Sequence, residues 1–204
     1  MMTQLERINI NPTAIIFGSL FLILGFGLLS AFTWAWWALF IGAALAWLVV
    51  FKRASLAIFT KPHKLWLIPI GVVAYLTLGG VVGLIARSLG FHWTINPESG
   101  HFLQLLFKIP FMLMGEELLG IGVLEVAHNK GLSLLNSNLL SALIFGLMHV
   151  LVYWDGSIVS TLLHVLLLQG VARLIFNTIY LKAGHSIWAS WLTHVLVDLV
   201  ALSL

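Results

Sequence analysis

Long apolar stretches follow one another along almost the whole chain and are separated by short polar segments. Each stretch is close to the about 20 apolar residues that a helix needs to cross the hydrocarbon core of a membrane. The apolar runs are continuous and do not alternate with polar residues, which excludes a transmembrane β-barrel. The pattern predicts an all-α, polytopic transmembrane helix bundle of about seven spans, at 13–31, 34–51, 65–86, 102–125, 138–154, 157–180 and 185–203.

The composition supports this class. Charged residues make up 8% and apolar residues 61% of the 204 residues, whereas a typical soluble domain has roughly 25% charged residues. So few charges cannot cover the surface of a soluble globule, which argues against a soluble enzyme, a nucleic-acid-binding protein and a disordered chain. Because no long linker interrupts the pattern, residues 1–204 are predicted to form a single membrane-embedded domain. The absence of cysteine excludes a disulfide and a thiolate nucleophile.

The basic residues lie in alternate loops of this arrangement. One side of the membrane would carry Arg7, the segment 52–64, Lys130 and Lys182. The loops assigned to the other side contain neither Lys nor Arg: 32–33, 89–101 and 155–157. Since Lys and Arg are enriched in cytoplasmic loops, we expect the N-terminus inside and the C-terminus outside.

Several ionisable residues lie inside predicted spans, where they are costly in hydrocarbon and usually mark function. Glu116 and Glu117 lie in the fourth span and His149 in the fifth. His194 and Asp198 lie in the last span, four residues apart and therefore on one helix face. At about 1.5 Å per residue, Glu116, His149 and His194 all lie roughly 14–16 Å from the cytoplasmic ends of their predicted helices. The sequence therefore predicts that these side chains converge.

The two glutamates cannot have the same role. They are adjacent and point about 100° apart around the helix, so only one can face a shared centre. The other needs a cation, for which Arg173 and Lys108 are available. Pro110, six residues before Glu116, is expected to kink the helix.

Two carboxylates and two histidines suit the activation of water. A glutamate can act as general base, and an imidazole can donate a hydrogen bond to a developing oxyanion. The same donors can also hold Zn²⁺. A proton relay in a transporter is an alternative, but no second half or inverted repeat supports it.

Other titratable residues are interpreted as structural. His164 is expected to form a hydrogen bond between helices. Glu125 and His128 have a spacing that can bind metal, but a second such pair is missing and both lie at the predicted membrane edge.

Three short segments occur in a fixed order on these predicted helices. Residues 116–124 read EELLGIGVL, residues 145–149 read FGLMH and residues 194–198 read HVLVD. They resemble the E-E-x-x-x-R-G, F-x-x-x-H and H-x-x-x-N/D motifs of the CaaX-protease and bacteriocin-processing (Abi) family. The resemblance covers about 100–204 and includes the lead-in GHSIWA at 184–189, whereas residues 1–99 match only as generic membrane helices.

The resemblance implies an intramembrane endopeptidase related to the Ras-converting CaaX prenyl protease. It assigns the general base to Glu116 with Glu117 beside it, the orientation of the water to His149, and the oxyanion site to His194 and Asp198. The resemblance leaves a metal-dependent mechanism with Zn²⁺ open, and we favour the glutamate mechanism without a cofactor. The expected partners are membrane lipids and, as substrate, a peptide or lipid-modified protein. Since bacterial-type members are at least as similar as the eukaryotic enzymes, a prokaryotic cytoplasmic membrane is the expected location.

One position departs from the family pattern. Ile121 lies where the first motif has arginine. Either Arg173 supplies this cation from a neighbouring helix, or the protein is a catalytically degenerate immunity or scaffold protein. Asp198 would weaken oxyanion stabilisation if ionised, but not if protonated.

Overall fold

The computed structural model describes residues 5, 8–94 and 102–203. Arg7 and residues 95–101 of the loop that lacks Lys and Arg, His101 included, lie outside the described residues. The described part contains helices and no β-strand, which confirms the all-α prediction. The helices are α1 (Pro12–Ala31), α2 (Ala38–Phe51), α3 (Leu67–Ser88), α4 (Phe102–Leu105), α5 (Ile109–Asn129), α6 (Leu134–Met148), α7 (Ile158–Val165), α8 (Val171–Lys182) and α9 (Ile187–Ser203).

The predicted number of about seven spans is confirmed. Among the described residues, four helical segments are long and apolar enough to cross a membrane: Pro12–Ala31, Ala38–Ile58, Leu67–Ser88 and Ile158–Lys182. Two shorter apolar helices, α6 and α9, lie at the positions of two further predicted spans. The remaining span corresponds to α5, which carries the glutamates.

Two predicted helix boundaries were wrong. Pro110 does not kink a continuous helix but lies in the first turn of α5, where its fixed φ and missing N–H are tolerated. The fifth span was placed at 138–154, but α6 ends at Met148 and His149 is its C-cap. The chain then turns towards Gly156, whose φ of +91° does not continue a helix.

The helix before α8 is interrupted. Leu166–Gly170 form a π-helical turn between α7 and α8, so the predicted span 157–180 is one helical segment with a local change of pitch. This turn packs on α6, where a Cβ on Gly146 would lie 3.0 Å from the carbonyl oxygen of Val165. A π turn has an extra residue and therefore rotates the side chains that follow it around the helix axis. Arg173 is one of these residues.

Small residues bring α1, α2 and α5 together. A Cβ on Gly42 of α2 would lie 2.5 Å from the carbonyl oxygen of Phe21 in α1, and one on Gly115 of α5 would lie 2.7 Å from the backbone nitrogen of Phe40 in α2. Close backbone approach at small residues is a main source of helix association in membranes. These contacts hold α5 against α2, while its opposite face points towards α8 and α9.

We expect Gly42→Ala to destabilise the fold by about 1–3 kcal/mol, because the added methyl group clashes with backbone atoms that cannot rotate away. Thermal unfolding in detergent measures the effect. Gly80→Ala in α3 is the matched control, because a Cβ there meets nothing within 4 Å. Equal melting temperatures for the two variants would contradict the tight α1–α2 contact.

Candidate active site

Glu116 of α5 and His194 of α9 face each other. The distance from His194 Nε2 to Glu116 Oε2 is 3.8 Å, and that from His194 Nε2 to Asp198 Oδ1 is 3.9 Å. The side chain of His194 is 7% exposed, whereas those of Glu116 and Asp198 are 17% and 30% exposed. The three predicted residues therefore form one cluster, in which the two carboxylates remain accessible from outside.

Glu117 points into the protein and is fully enclosed. Arg173 Nη1 and Nη2 donate to Glu117 Oε1 and Oε2, each at 2.8 Å. The hydroxyl of Ser190 donates to Glu117 Oε2, and His194 Nδ1 lies 2.9 Å from Glu117 Oε1. Of the two glutamates, Glu117 therefore takes the internal cation, and Glu116 is the one that faces the accessible cluster.

Arg173 reaches Glu117 from α8 through a closely fitted passage. Its guanidinium carbon lies 5.5 Å from the ring centres of both Phe145 and Phe176, a distance at which cation–π attraction operates. A Cβ on Gly120 would lie 2.7 Å from Cδ of Arg173, so glycine is needed where the arginine passes.

An apolar residue occupies position 121, where the motif has arginine. Ile121 is fully buried in an apolar cluster with Trp47 and Tyr180, and the cation beside the paired glutamates comes from Arg173. Lys108, the other cation considered, lies at the N-cap of α5. The paired glutamates therefore have a basic partner, Arg173, which lies on α8 and not on α5.

His149 joins the cluster through Phe145. Its ring lies 4.9 Å from that of Phe145, which in turn lies 6.2 Å from the His194 ring. His149 Nδ1 lies 2.8 Å from the carbonyl oxygen of Phe145, which fixes the ring at the end of α6. His149 is also close enough to His194 and Asp198 to interact with both electrostatically.

The predicted distances of 14–16 Å from the helix ends were wrong, although Glu116 and His194 do meet. Glu116 lies 13 residues before the end of α5, roughly 20 Å, whereas His194 lies seven residues after the start of α9, roughly 10 Å. His149 is 15 residues after the start of α6, roughly 22 Å. The helices therefore begin and end at different levels, and the contact arises from their packing.

Sequence reasoning missed Ser190, Phe176 and the role of Gly120. Phe176 stacks on His194 with ring centres 4.4 Å apart. Ser190 precedes His194 by four residues, as His194 precedes Asp198. This repeat places all three on one face of α9 and was a signal from which Ser190 could have been found.

The histidine expected to bridge helices is held differently. His164 is 3% exposed, its ring stacks on Trp93 with centres 4.7 Å apart, and its Nδ1 has no hydrogen-bond partner among the described residues. Glu125 accepts from the Tyr180 hydroxyl at 2.7 Å and lies 3.3 Å from His185 Nδ1. Within the described part of the chain, no group of three or more His, Asp or Glu side chains is arranged to hold a metal ion.

Comparison with known proteins covers the segment that carries this cluster. The family model described as type II CAAX prenyl endopeptidase Rce1-like matches residues 98–200, half of the chain, and includes all three motifs. No curated protein and no solved structure matches the chain. The family match confirms the resemblance identified in the motifs. The chain belongs to the Rce1-like family of type II CAAX prenyl endopeptidases, which are proteases that act in the membrane.

Proposed function

We propose that this protein is an intramembrane endopeptidase in which Glu116 activates water for attack on a peptide bond. The observation that carries the proposal is the division of roles between the two glutamates. Glu117 is occupied by Arg173, Ser190 and His194, whereas Glu116 is partly exposed and faces His194 Nε2. A general base has to be accessible to water and within reach of it, and Glu116 meets this requirement.

In the proposed reaction, Glu116 takes a proton from a water molecule that His149 helps to orient. The oxygen of that water forms a bond to the carbonyl carbon of the peptide, and the carbonyl oxygen becomes an oxyanion. His194, protonated on both ring nitrogens because Nδ1 already donates to the Glu117 carboxylate, and a protonated Asp198 donate hydrogen bonds to it. When the intermediate collapses, the C–N bond breaks and the proton held by Glu116 passes to the departing amine.

The orientation of His194 in this scheme depends on Glu117. With Nδ1 held by the buried carboxylate at 2.9 Å, Nε2 is directed at the accessible cluster. The stacked ring of Phe176 restricts rotation of the imidazole further. Preorganised donors are effective because they need no rearrangement during the reaction. Arg173, Glu117 and Ser190 are thus proposed as positioning residues.

The family implies a protein substrate, and we propose that the substrate is a peptide or a lipid-modified protein presented at the membrane. Many large apolar side chains on the helices are exposed, which supports a lipid environment for the protein and for a substrate of this kind. We further propose a prokaryotic cytoplasmic membrane as the location.

The test of the proposed function is cleavage by purified protein in lipid vesicles. A peptide ending in a CaaX sequence is supplied in prenylated and unprenylated forms, and the products are identified by mass spectrometry. We expect hydrolysis of one internal bond near the carboxyl end, with about 10²-fold or greater loss in His149→Ala because a group that positions the water is removed. No cleavage of either peptide by the wild-type protein would contradict the proposal for this substrate class.

We propose that this reaction needs no metal. The donor atoms available for a metal are partly engaged, since His194 Nδ1 is held by Glu117 and His149 Nδ1 by the Phe145 carbonyl. Zn²⁺, if bound, would have to use Glu116, Asp198 and the remaining ring nitrogens, and would act as a Lewis acid. Cleavage that survives treatment with 1,10-phenanthroline is the expected result, and loss that is restored by Zn²⁺ would contradict it.

The degenerate scaffold remains the second candidate because Ile121 replaces the motif arginine. The ion pair of Glu117 with Arg173 supports a competent site instead. A biological phenotype that persists in both Glu116→Gln and His194→Ala would favour the scaffold.

We also propose that the N-terminus faces the cytoplasm, with segment 52–64 on the same side. Because the chain has no cysteine, single introduced cysteines report topology without background. We expect Lys61→Cys to react with a membrane-impermeant maleimide only after permeabilisation, and His92→Cys to react in intact cells. Both positions are exposed, and Lys61 precedes the start of α3 whereas His92 follows its end. The reverse labelling pattern would overturn the orientation.

A further inference from the structure

A cavity lies on the face of α5 that points away from the candidate active site. It has a volume of about 300 Å³, within the roughly 300–1,000 Å³ of ligand pockets. Its walls come from α1, α2, α5 and α6 and are almost entirely apolar. Among the residues that line it are Trp47, Leu118, Gly122, Val126 and Lys130.

The wall of this cavity is well defined on the α2 side. Trp47 donates its indole N–H to the carbonyl oxygen of Ser55 at 2.7 Å, so the polar edge of the ring is satisfied within the protein. The carbon edge faces α5, where a Cβ on Gly122 would lie 3.5 Å from the ring. The absence of a side chain at Gly122 therefore keeps this part of the cavity open.

One end of the cavity is basic. Lys130 lines it and donates to the carbonyl oxygen of Ile10 at 2.5 Å, which uses one of the three donors of an ammonium group. Phe51, at the end of α2, also lines it and is followed directly by exposed Lys52 and Arg53. Because Gly115 lies against Phe40 and Gly122 against Trp47, α2 and α5 run in the same direction. Their basic ends therefore lie at the same end of the bundle.

The length of the cavity corresponds to one leaflet. From Leu118 to Lys130 along α5 is 12 residues, roughly 18 Å. Half of the about 30 Å hydrocarbon core is about 15 Å. An apolar slot of this length with cations at its outer end matches a single lipid tail with an anionic headgroup.

We propose that this cavity is a binding site for an anionic phospholipid of the leaflet at the Lys130 end, with one acyl chain along α5 and the phosphate at Lys130. Anionic headgroups are attracted to clustered Lys and Arg next to a membrane helix, and the apolar walls match an acyl chain. A transmembrane helix of a partner would need an apolar contact across both leaflets, whereas this slot ends within one. The site is separate from Glu116 and does not depend on the proposed protease activity.

The experiment is native mass spectrometry of the whole protein in detergent, with phosphatidylglycerol or phosphatidylcholine of identical acyl chains added. We expect the wild-type protein to retain one phosphatidylglycerol more tightly than phosphatidylcholine. Lys130→Gln should weaken phosphatidylglycerol about fivefold, the effect of one basic residue near the headgroups. Gly122→Leu should remove the bound lipid because its side chain fills the slot, while its Cβ has ordinary van der Waals room.

Gly83→Leu is the matched control, since a Cβ on that glycine of α3 meets nothing within 4 Å. It should bind lipid like the wild-type protein. Thermal unfolding shows whether each variant is folded. If Gly122→Leu does not fold, Gly122→Ala takes its place, and we expect it to bind phosphatidylglycerol with reduced but measurable affinity. Equal retention of the two lipids, or unchanged lipid binding by folded Gly122→Leu, would overturn the proposal. So would a wild-type dimer that Gly122→Leu abolishes without any loss of lipid, because the cavity would then be a contact between two copies of the chain.

Discussion

Glu116→Gln is expected to lower the rate of peptide cleavage by about 10²–10⁴-fold, the usual contribution of a general base. The amide has nearly the shape of the carboxylate but cannot accept the proton of the attacking water. Because the side chain of Glu116 is 17% exposed and its Oε2 lies 3.8 Å from His194 Nε2, the substitution removes little packing. The loss should therefore appear in kcat, measured with saturating peptide, while the melting temperature stays close to that of the wild-type protein.

Asp155→Asn is the matched control for this substitution. Asp155 lies in the loop before α7, where it accepts from Thr161 Oγ1 at 2.9 Å and from the Ser160 hydroxyl. The hydrogen bond from Ser160 lowers the pKa of this carboxyl below its usual value. The control removes an acidic charge outside the cluster and should leave kcat unchanged. Wild-type cleavage by Glu116→Gln would assign the general base to another group.

Arg173→Met is expected to destabilise the protein by about 3–5 kcal/mol, because it leaves the buried carboxylate of Glu117 without its cation. Both side chains are fully buried, and two hydrogen bonds of 2.8 Å join them. Methionine retains much of the apolar stem that passes Gly120 and the two phenylalanine rings. The change therefore tests the loss of charge more than the loss of volume. Chemical or thermal unfolding in detergent measures it.

The double variant Arg173→Met/Glu117→Leu separates stability from activity. Replacing both members of a buried ion pair by apolar residues is often neutral or stabilising, so we expect most of the lost stability to return. Cleavage should stay low, because His194 Nδ1 no longer has the carboxylate that holds it at 2.9 Å. A stable and fully active double variant would contradict the positioning role of the pair. An Arg173→Met variant as stable as wild type would contradict the ion pair itself.

The apolar pattern predicted the class and approximate number of spans because hydrocarbon imposes a length and a composition on any helix that crosses it. Because an ionisable side chain in hydrocarbon costs free energy, the few charged residues inside the predicted spans also stood out as functional candidates. The i, i+4 pairing of His194 with Asp198 also followed from sequence, since it is set within one helix.

Helix ends were less predictable, and with them the depths. Apolar residues continue past Met148 and before Ile109, so hydropathy does not mark where α6 ends or where α5 begins. Local backbone geometry decided these ends: a proline lies in the first turn of α5, and His149 caps α6 with its backbone N–H bonded to the carbonyl oxygen of Gly146. Depths counted from shifted ends could not establish that Glu116 and His194 meet.

The sequence by itself determined that the chain is a helical membrane protein and which titratable residues are costly enough there to carry chemistry. It also established that only one of two adjacent glutamates could face a common centre. Only the tertiary structure decided that Glu117 takes the cation, and that the cation is Arg173 of α8. This ion pair between helices depends on the space beside Gly120, through which the Arg173 side chain passes, and on the π turn that precedes Arg173. Neither leaves a periodic signal along the chain: the passage forms only when α5 and α8 pack, and the π turn interrupts the helical period within one segment.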